Sequence, residues 1–301
     1  MLGGGGMENW MIYTLFATLL YGVLNFLFKA AAERGHDADG LVNVVGLSVA
    51  LMAFGTLWAT TEHPWSELTR PVLAYAFFNG LFFALGSLAK YGALKRAPAA
   101  VVFPLNRLNT LAVMAIGFVF FHEAPRPLQV LGIAAALGVL GVITLEQRKH
   151  FRTARGAAML GGILLALASA VFTSLSMTVG KLLADSSSNR IAYIGASYTL
   201  VFLFTLGRNL AIHRGRAFHF HRRTGEMAAF GAAIGLLNFA GYFLVLQAFG
   251  SGPISLSQAI FSSSIVVPIV LSRWFYREEL TPLRAAAVGL AILSVVLMGM
   301  K

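Results

Sequence analysis

Ten apolar segments, each about as long as a membrane is thick, constrain the fold of this chain more than any other feature. A helix that crosses roughly 30 Å of hydrocarbon at 1.5 Å per residue needs about 20 residues. Such segments are predicted at Trp10–Phe28, Leu41–Thr60, Pro71–Leu94, Ala99–Phe121, Leu128–Leu145, Ala157–Gly180, Ile191–Ile212, Met227–Phe249, Pro253–Phe275 and Pro282–Met300. Because the loops between them are short, the sequence predicts an all-α integral membrane protein without a soluble domain.

The charged residues support this fold class and exclude several others. They make up 12% of the 301 residues, about half the share of roughly 25% in a soluble domain. The net charge of +11 arises mostly at span ends and in loops, where the positive-inside rule places basic residues. We therefore expect a lipid bilayer, not a nucleic acid, as the partner. The chain has no cysteine, so it has no disulfide and no thiolate site.

Two basic loops predict the orientation in the membrane. Four basic residues follow the fifth span and four follow the seventh: Arg148, Lys149, Arg152, Arg155, Arg214, Arg216, Arg222 and Arg223. If these loops are cytoplasmic, both termini lie on the outer side of the membrane, which we expect to be the cell's inner (plasma) membrane.

The second half of the chain repeats the first. A shift of 155 residues places Gly80 on Gly235, Gly86 on Gly241, Pro98 on Pro253, Glu123 on Glu278 and Pro127 on Pro282. This predicts two five-helix repeats, residues 1–150 and 151–301. Five is odd, so the second repeat enters the membrane from the opposite side. Inverted repeats of this kind bind substrate near the bilayer midplane, between the halves.

Polar side chains interrupt the fourth span, and one of them is charged. At 100° per residue, an arc of about 160° on one helical face holds four of them: Asn106, Arg107, Asn109 and Thr110. An arginine at the centre of a bilayer helix costs about 2.5–3.5 kcal/mol on insertion scales, so it normally faces a protein interior or a watery cavity. This face is the best functional clue in the sequence.

The repeated pattern resembles a known transporter family. Each half carries a small residue and proline, a helix with polar interruptions, a glutamate, and then Pro-Leu before a small-residue helix. The two copies are Ala97-Pro98…Glu123…Pro127-Leu128…Gly132 and Gly252-Pro253…Glu278-Glu279…Pro282-Leu283…Gly289. The pattern is similar to the ten-helix, EamA-type branch of the drug/metabolite transporter superfamily. The resemblance implies alternating access around a central cavity lined by spans one, three, four, six, eight and nine. It also gives Glu123 and Glu278 a structural position, which we expect near Arg126 and Arg284.

Polar residues of those spans complete the candidate site. We predict that substrate contacts Arg107, Asn106, Thr110, Asn25, Tyr21, Asn79, Lys90, Asn238, Tyr242, Gln258 and Ser262. The asparagines line a cavity or hydrogen-bond between helices. The guanidinium of Arg107 either anchors a carboxylate or phosphate or bonds to helix carbonyls or Asn109. Lys90 either joins the site or extends to the interface, which is the expectation for Lys29 and Lys181.

The absence of mid-span acids limits the class of substrate. The span-end glutamates are Glu8, Glu123, Glu278 and Glu279, whereas a cation exporter or proton antiporter needs an acid at mid-membrane. The sequence favours an exporter or exchanger of a small zwitterionic or anionic metabolite, such as an amino acid or organic anion.

Two other classes compete with transport of a soluble metabolite. A flippase for a lipid-linked, phosphate-bearing substrate is the alternative, because Arg107 suits a lipid phosphate. An enzyme is not expected, because no GxSxG, HExxH or P-loop motif occurs and every histidine lies in or beside a loop. We expect no catalytic residue, metal or cofactor, and a monomer or homodimer.

Overall fold

The computed structural model describes residues 8–36, 38–94, 96–97, 99–146, 157–212, 224–277 and 281–300. Its helices are α1 Asn9–Glu33, α2 Ala38–Thr60, α3 Arg70–Leu94, α4 Ala99–Asn106, α5 Leu108–Phe120, α6 Pro127–Glu146, α7 Ala157–Ala184, α8 Arg190–Ile212, α9 Thr224–Ser251, α10 Ile254–Ser262, α11 Val266–Tyr276 and α12 Pro282–Gly299. Short 3₁₀ turns occupy Pro64–Glu67 and Ser263–Ile265. Within these ranges there is no strand, so the prediction of an all-α protein is confirmed.

The helices provide the predicted membrane crossings. Eight helical segments are long and apolar enough to cross a membrane, counting α10 to α11 as one. Leu108–Phe120 and Pro127–Val142 are shorter apolar helices and belong to the fourth and fifth spans. Large apolar side chains on the outer surface, such as Leu51, Leu164 and Ile292, are more than half exposed. Such a surface suits contact with lipid tails.

Two of the predicted spans, the fourth and the ninth, are each interrupted by a short turn, which was not predicted. The fourth span breaks at Arg107, where the N–H of Thr110 bonds to the Arg107 carbonyl in a tight three-residue turn. The ninth span breaks at Ser263–Ile265. There Pro268 has no N–H to donate to the carbonyl of residue 264, four positions back, and its ring crowds that carbonyl. The two breaks lie at nearly equivalent positions of the repeat, since the shift of 155 residues places Arg107 on Ser262, directly before the second break.

Helix packing follows a two-fold pattern that relates the repeats. Helix α3 packs against α7 and α8, and its counterpart α9 packs against α1 and α2. Helices α2 and α8 pack together, as do α6 and α12 at the fifth and tenth spans. Each of these pairs joins a helix of one repeat to a helix of the other. The two-repeat architecture is therefore built from contacts between the halves.

Matched glycines make this close packing possible. A Cβ on Gly235 would lie 2.6 Å from the Cβ of Ser48 on α2, and one on its counterpart Gly80 would lie 3.3 Å from a carbonyl of α8. Gly86 packs on α7 and its counterpart Gly241 packs on α1. Lipid provides no hydrophobic drive between helices, so close backbone approach is what stabilises them. Gly231, one helical turn before Gly235, also packs closely on α2, where its Cβ would lie 2.5 Å from a side-chain carbon of Val44.

One turn conformation occurs in both repeats. His122, after α5, has φ 52°, and Arg277, after α11 and 155 positions later, has φ 53°. Left-handed backbone is uncommon for residues other than glycine. Each turn directly precedes a glutamate of the repeated pattern, Glu123 or Glu278.

We call the membrane side on which α1 begins and α12 ends the terminal face. Successive spans alternate in direction, so the turns at 61–69, 121–126, 185–189 and 252–253 also lie at this face. The predicted boundary between the repeats and the basic loops at 148–155 and 214–223 lie outside the described residues. The predicted boundary and orientation therefore stay predictions.

Candidate substrate site

Arg107 lies at the break between α4 and α5, in the interior of the fourth span. Its backbone, at φ −70° and ψ −11°, leads into α5, and its side chain is partly buried. Among the residues that the structure describes, no acceptor takes a hydrogen bond from the guanidinium. The expected alternative, in which helix carbonyls or Asn109 satisfy this charge, is not found there.

A second cation lies beside Arg107. Lys90 of α3 is close enough for the two positive charges to interact. Ser169 of α7 holds the same region together, since its Oγ lies 2.7 Å from the Gly86 carbonyl and 2.8 Å from Asn106 Oδ1. Every carboxylate with a described side chain lies at a span end or in a loop. Two like charges in a medium of low dielectric repel each other, so this arrangement favours an anion between or beside them.

Four predicted site residues, together with three others, form a network of two hydrogen-bonded groups, which meet where the rings of Tyr198 and Tyr242 contact each other, with centroids 6.1 Å apart. We call it the amide–tyrosine network, and it consists of Tyr21, Asn79, Ser176, Tyr193, Tyr198, Asn238 and Tyr242. Its members come from α1, α3, α7, α8 and α9, so it joins five helices and both repeats.

One branch of the network centres on Asn238. The hydroxyls of Tyr21 and Tyr198 both donate to its Oδ1, over 3.0 and 3.2 Å. The ring of Tyr21 also meets that of Phe261 edge to face, with centroids 4.9 Å apart. Asn238 therefore bonds a helix of the first repeat to one of the second.

The other branch centres on Asn79, which is 4% exposed. Ser176 donates to its Oδ1 over 2.6 Å, and the Tyr242 hydroxyl lies 3.5 Å from the same atom. The hydroxyls of Tyr242 and Tyr193 are 3.1 Å apart. Asn79, Asn106 and Asn238 thus all hydrogen-bond between helices, which is the second of the two roles expected for them. Whether they also contact substrate stays a prediction.

Three members of the network were not predicted from sequence. Tyr193 and Tyr198 lie on α8, the seventh span, which the family resemblance did not place at the cavity. Ser176 lies on α7, where a serine commonly bonds to its own helix and so gives no signal of its own. Two tyrosines inside one apolar span are the signal available, because a buried tyrosine hydroxyl usually has a hydrogen-bond partner.

The other predicted residues lie on the helices that pack around the two breaks. Helix α5 packs on α10, which in turn packs on α1. Gln258 of α10 is 3% exposed and Asn25 of α1 is partly exposed, and neither side chain has a hydrogen bond within the described ranges. Ser262 donates to the Ala259 carbonyl in its own helix, and Thr110 Oγ1 lies 3.5 Å from Asn109 Oδ1. The shared face predicted for Asn106 to Thr110 assumed a continuous helix, and the helix is interrupted at Arg107, so the shared face stays a prediction.

Lys181 reaches the terminal face as expected, but its ammonium is buried among protein groups there and is not exposed at the interface. The residue is 8% exposed, and its Nζ donates to the carbonyls of Phe249 and Gly252 over 2.6 and 3.3 Å. It also lies 2.8 Å from Asp185 Oδ1. The carbonyls at the end of α9 lack helical partners, and a buried ammonium satisfies them. Lys29 bonds to Ser272 of α11 over 2.9 Å and lies 3.8 Å from Glu33.

Glu123 has a structural position, but its partners differ from those expected. Its two oxygens accept the backbone N–H groups of Ile254 and Ser255, over 2.6 and 2.9 Å. These are the first residues of α10, where unpaired N–H groups and the helix dipole favour an anion. Glu123 therefore caps a helix of the other repeat, and its hydrogen bonds do not go to Arg126 or Arg284.

A cavity of about 210 Å³ lies at the terminal face, not at Arg107. Its walls are Glu8, Trp10, Glu123, Ala124, Pro125, Arg126, Gln129, Pro253, Ser255 and Leu256, so it contains none of the eleven predicted site residues. Glu278, Glu279 and the side chains of Tyr91 and Phe103 lie outside the described part of the chain. In the ranges that are described, no three His, Asp or Glu side chains form a group that suits a metal ion.

The comparison with protein families gives the class of molecule. The model of the EamA-like transporter family matches residues 8–145 and again 160–300. An uncharacterized protein of Methanocaldococcus jannaschii is 27% identical over 144 residues, which are 46% of this chain and 98% of that protein. That relative is thus about as long as one repeat. A protein of solved crystal structure superposes with a TM-score of 0.75 over 96% of this chain and 95% of its own, at 18% identity. This last likeness concerns the fold alone.

Proposed function

The chain belongs to the EamA-like transporter family and is a multi-pass membrane protein, and from this premise we propose a substrate class and a mechanism. It exports or exchanges a small zwitterionic or anionic metabolite, such as an amino acid or organic anion, across the inner membrane. The two repeats alternate access to a site near the bilayer midplane. Family membership also argues against an enzyme.

The single observation that carries the proposal is the uncompensated guanidinium of Arg107. It lies inside a span, partly buried, and no described residue accepts a hydrogen bond from it. A charge in this position is costly and usually marks a substrate or ion pathway. A guanidinium offers two parallel N–H donors to a carboxylate or phosphate. An anionic group on the substrate would neutralise this charge.

The surroundings of Arg107 support the same class. Lys90 adds a second positive charge, and no carboxylate with a described side chain lies at mid-span to attract a cation. Asn106 is held in place by Ser169. Asn25 and Gln258 carry amide groups without hydrogen bonds in the described ranges, so they are available to the polar part of a metabolite.

The breaks in the fourth and ninth spans support alternating access. Discontinuous helices at equivalent positions of the repeats lie at the binding sites of several transporter folds. Here α5 packs on α10, which brings the two interrupted spans together. A change in the packing of these short helices would expose Arg107 to one face and then to the other.

The first experiment identifies the ligand. The purified protein is heated with a panel of amino acids, organic acids and phosphorylated metabolites, since a ligand of the folded state raises the apparent melting temperature. We expect stabilisation by anionic or zwitterionic compounds. Stabilisation by organic cations alone would contradict the proposed class.

The second experiment tests Arg107 with the compound found. Arg107→Ala should abolish uptake into proteoliposomes, and Arg107→Lys should retain part of it. Because a charge-assisted hydrogen bond contributes about 1.5–3 kcal/mol, ligand binding to Arg107→Ala should weaken roughly 10- to 100-fold. In the described part of the chain no acceptor depends on the Arg107 side chain, so the alanine variant should still fold. Arg70→Ala, at an exposed arginine that begins α3, is the matched control.

Near wild-type uptake by Arg107→Ala would refute the assignment of Arg107. Transport of a lipid-linked phosphate, with no response to any soluble compound, would instead favour the flippase alternative.

A further inference from the structure

The cavity at the terminal face adjoins a small groove of about 20 Å³, which has room for about one water molecule. The two spaces share Glu8, Trp10, Arg126 and Gln129. The groove extends between the start of α1, the start of α6 and the end of α12, and it adds Met11, Met298, Gly299 and Met300 to the walls. One end of the combined space is thus polar and the other is apolar. All its walls are span ends, which places it at the membrane interface.

The polar end contains groups whose hydrogen-bonding capacity is not used. Ser255 is fully buried, and its Oγ has no hydrogen-bond partner in the described chain. Arg126 is exposed to the cavity, and within the described ranges its guanidinium has no partner. Gln129 Oε1 accepts the Arg126 backbone N–H over 2.9 Å, which leaves its amide N–H₂ available. The Arg126 guanidinium and the Gln129 amide can both donate to an anion in the cavity, whereas the buried Ser255 hydroxyl has no accessible surface there.

The same cavity offers one acceptor for a cation. Glu8 Oε2 accepts the indole N–H of Trp10 over 2.6 Å, and its other oxygen has no such bond in the described chain. Glu123 uses both oxygens on the backbone of α10, so it adds negative charge but no free acceptor. A ligand with only negative charge would be repelled by two carboxylates, whereas a ligand with an anion and an ammonium group matches both sets.

We infer that this cavity binds a phospholipid whose headgroup joins a phosphate to a primary ammonium, as in phosphatidylethanolamine. The phosphate lies against Arg126 and Gln129, and the ammonium lies against Glu8. The acyl chains extend from the mouth of the cavity into the surrounding lipid. Trp10, with its amphipathic ring, is typical of a residue at the headgroup level.

The position of the site indicates what the lipid does. The cavity borders Glu123 and the first turn of α10, where the first repeat caps a helix of the second. A bound headgroup would contact both sides of this junction. It would therefore stabilise the arrangement in which the repeats are joined at the terminal face.

The test uses short-chain lipids added to the full-length protein in detergent, with melting temperature as the readout. Dihexanoyl phosphatidylethanolamine should raise the melting temperature by several degrees, and more than the matching phosphatidylcholine and phosphatidylglycerol. Arg126→Ala and Glu8→Gln should lose this preference, whereas Arg70→Ala at the same face should keep it. Both variants change exposed side chains, so they are expected to fold. Native mass spectrometry of the same samples should show the ethanolamine lipid retained by the unaltered chain and lost in both variants.

Three results would overturn the inference. Equal stabilisation by all three lipids would show no headgroup recognition. A preference that survives in Arg126→Ala and Glu8→Gln would place the lipid elsewhere. Stabilisation by free phosphoethanolamine as large as that by the lipid would show a site for a soluble zwitterion. The same measurements in Arg107→Ala, which lacks the proposed substrate anchor, separate a response at the transport site from one at this cavity, so the inference can fail while the proposed function holds.

Discussion

Replacing Glu123 by glutamine should destabilise the protein, because this carboxylate caps α10, a helix that begins 131 residues later in the chain. The carboxylate accepts two N–H groups at the start of α10, over 2.6 and 2.9 Å. A hydrogen bond to a charged group contributes about 1.5–3 kcal/mol, and a charge at a helix N-terminus adds about 0.3–1 kcal/mol. Glutamine keeps one acceptor oxygen but turns an N–H₂ toward the other N–H. We therefore expect a loss of roughly 3 kcal/mol.

Thermal unfolding in detergent measures this loss, and the expected decrease in melting temperature is roughly 5 °C or more. Glu62→Gln is the matched control, because Glu62 is an exposed residue of a turn at the same face. Its melting temperature should be unchanged. If Glu123→Gln and Glu62→Gln both have the melting temperature of the unaltered chain, Glu123 does not stabilise the junction between the repeats, and our interpretation of this contact is wrong.

Three further substitutions test separate parts of the structure. Lys181→Met should lower stability by about 2 kcal/mol, measured by thermal unfolding, because it leaves the terminal carbonyls of α9 without a donor. Gly235→Ala should destabilise the fold, since its Cβ would meet α2 at 2.6 Å, whereas Gly207→Ala has open space and should not. Tyr242→Phe, which removes a hydroxyl between Tyr193 and Asn79, should cost only about 0.6 kcal/mol, the mean for hydrogen bonds inside a membrane protein. A loss above about 2 kcal/mol there would mean that the network acts as one unit.

The membrane fold and its repeat could be predicted from the sequence because both depend on simple physical requirements. Hydrocarbon thickness sets the length of each apolar segment, which located the spans. Close helix contact in lipid requires small residues, so Gly80 and Gly86 recur as Gly235 and Gly241 and pack on matching helices. The family match over 8–145 and 160–300 agrees with this repeat.

The interruptions of the spans were not predicted, because hydropathy reports whether a segment suits lipid and not whether its helix is continuous. Pro268 was an available signal for the break in the ninth span. The fourth span has no proline at the matching position, which is Val113 by the same shift of 155. The fourth span does contain Pro104, three residues before its break, but a proline does not by itself tell whether a helix bends or is interrupted.

The hydrogen-bond partners of buried polar groups also could not be predicted from the sequence. A lysine at a helix end can extend to the interface or bond to another helix's carbonyls, and the choice depends on what packs beside it. For Lys181 that neighbour is the end of α9, 68 residues later. The partners of Glu123 are likewise more than 130 residues away. Contacts of this range follow from tertiary packing and not from local pattern.

The most direct test of the central claim is the accessibility of position 107 to water from each side of the membrane. The chain has no cysteine, so Arg107→Cys provides a single thiol for a membrane-impermeant reagent in right-side-out and inside-out vesicles. Leu164→Cys, on the outer surface of α7, is the control that only a lipid-soluble reagent should label. A site that alternates between the two faces predicts labelling of position 107 from both. Labelling from neither aqueous side, together with reaction with the lipid-soluble reagent, would contradict the account.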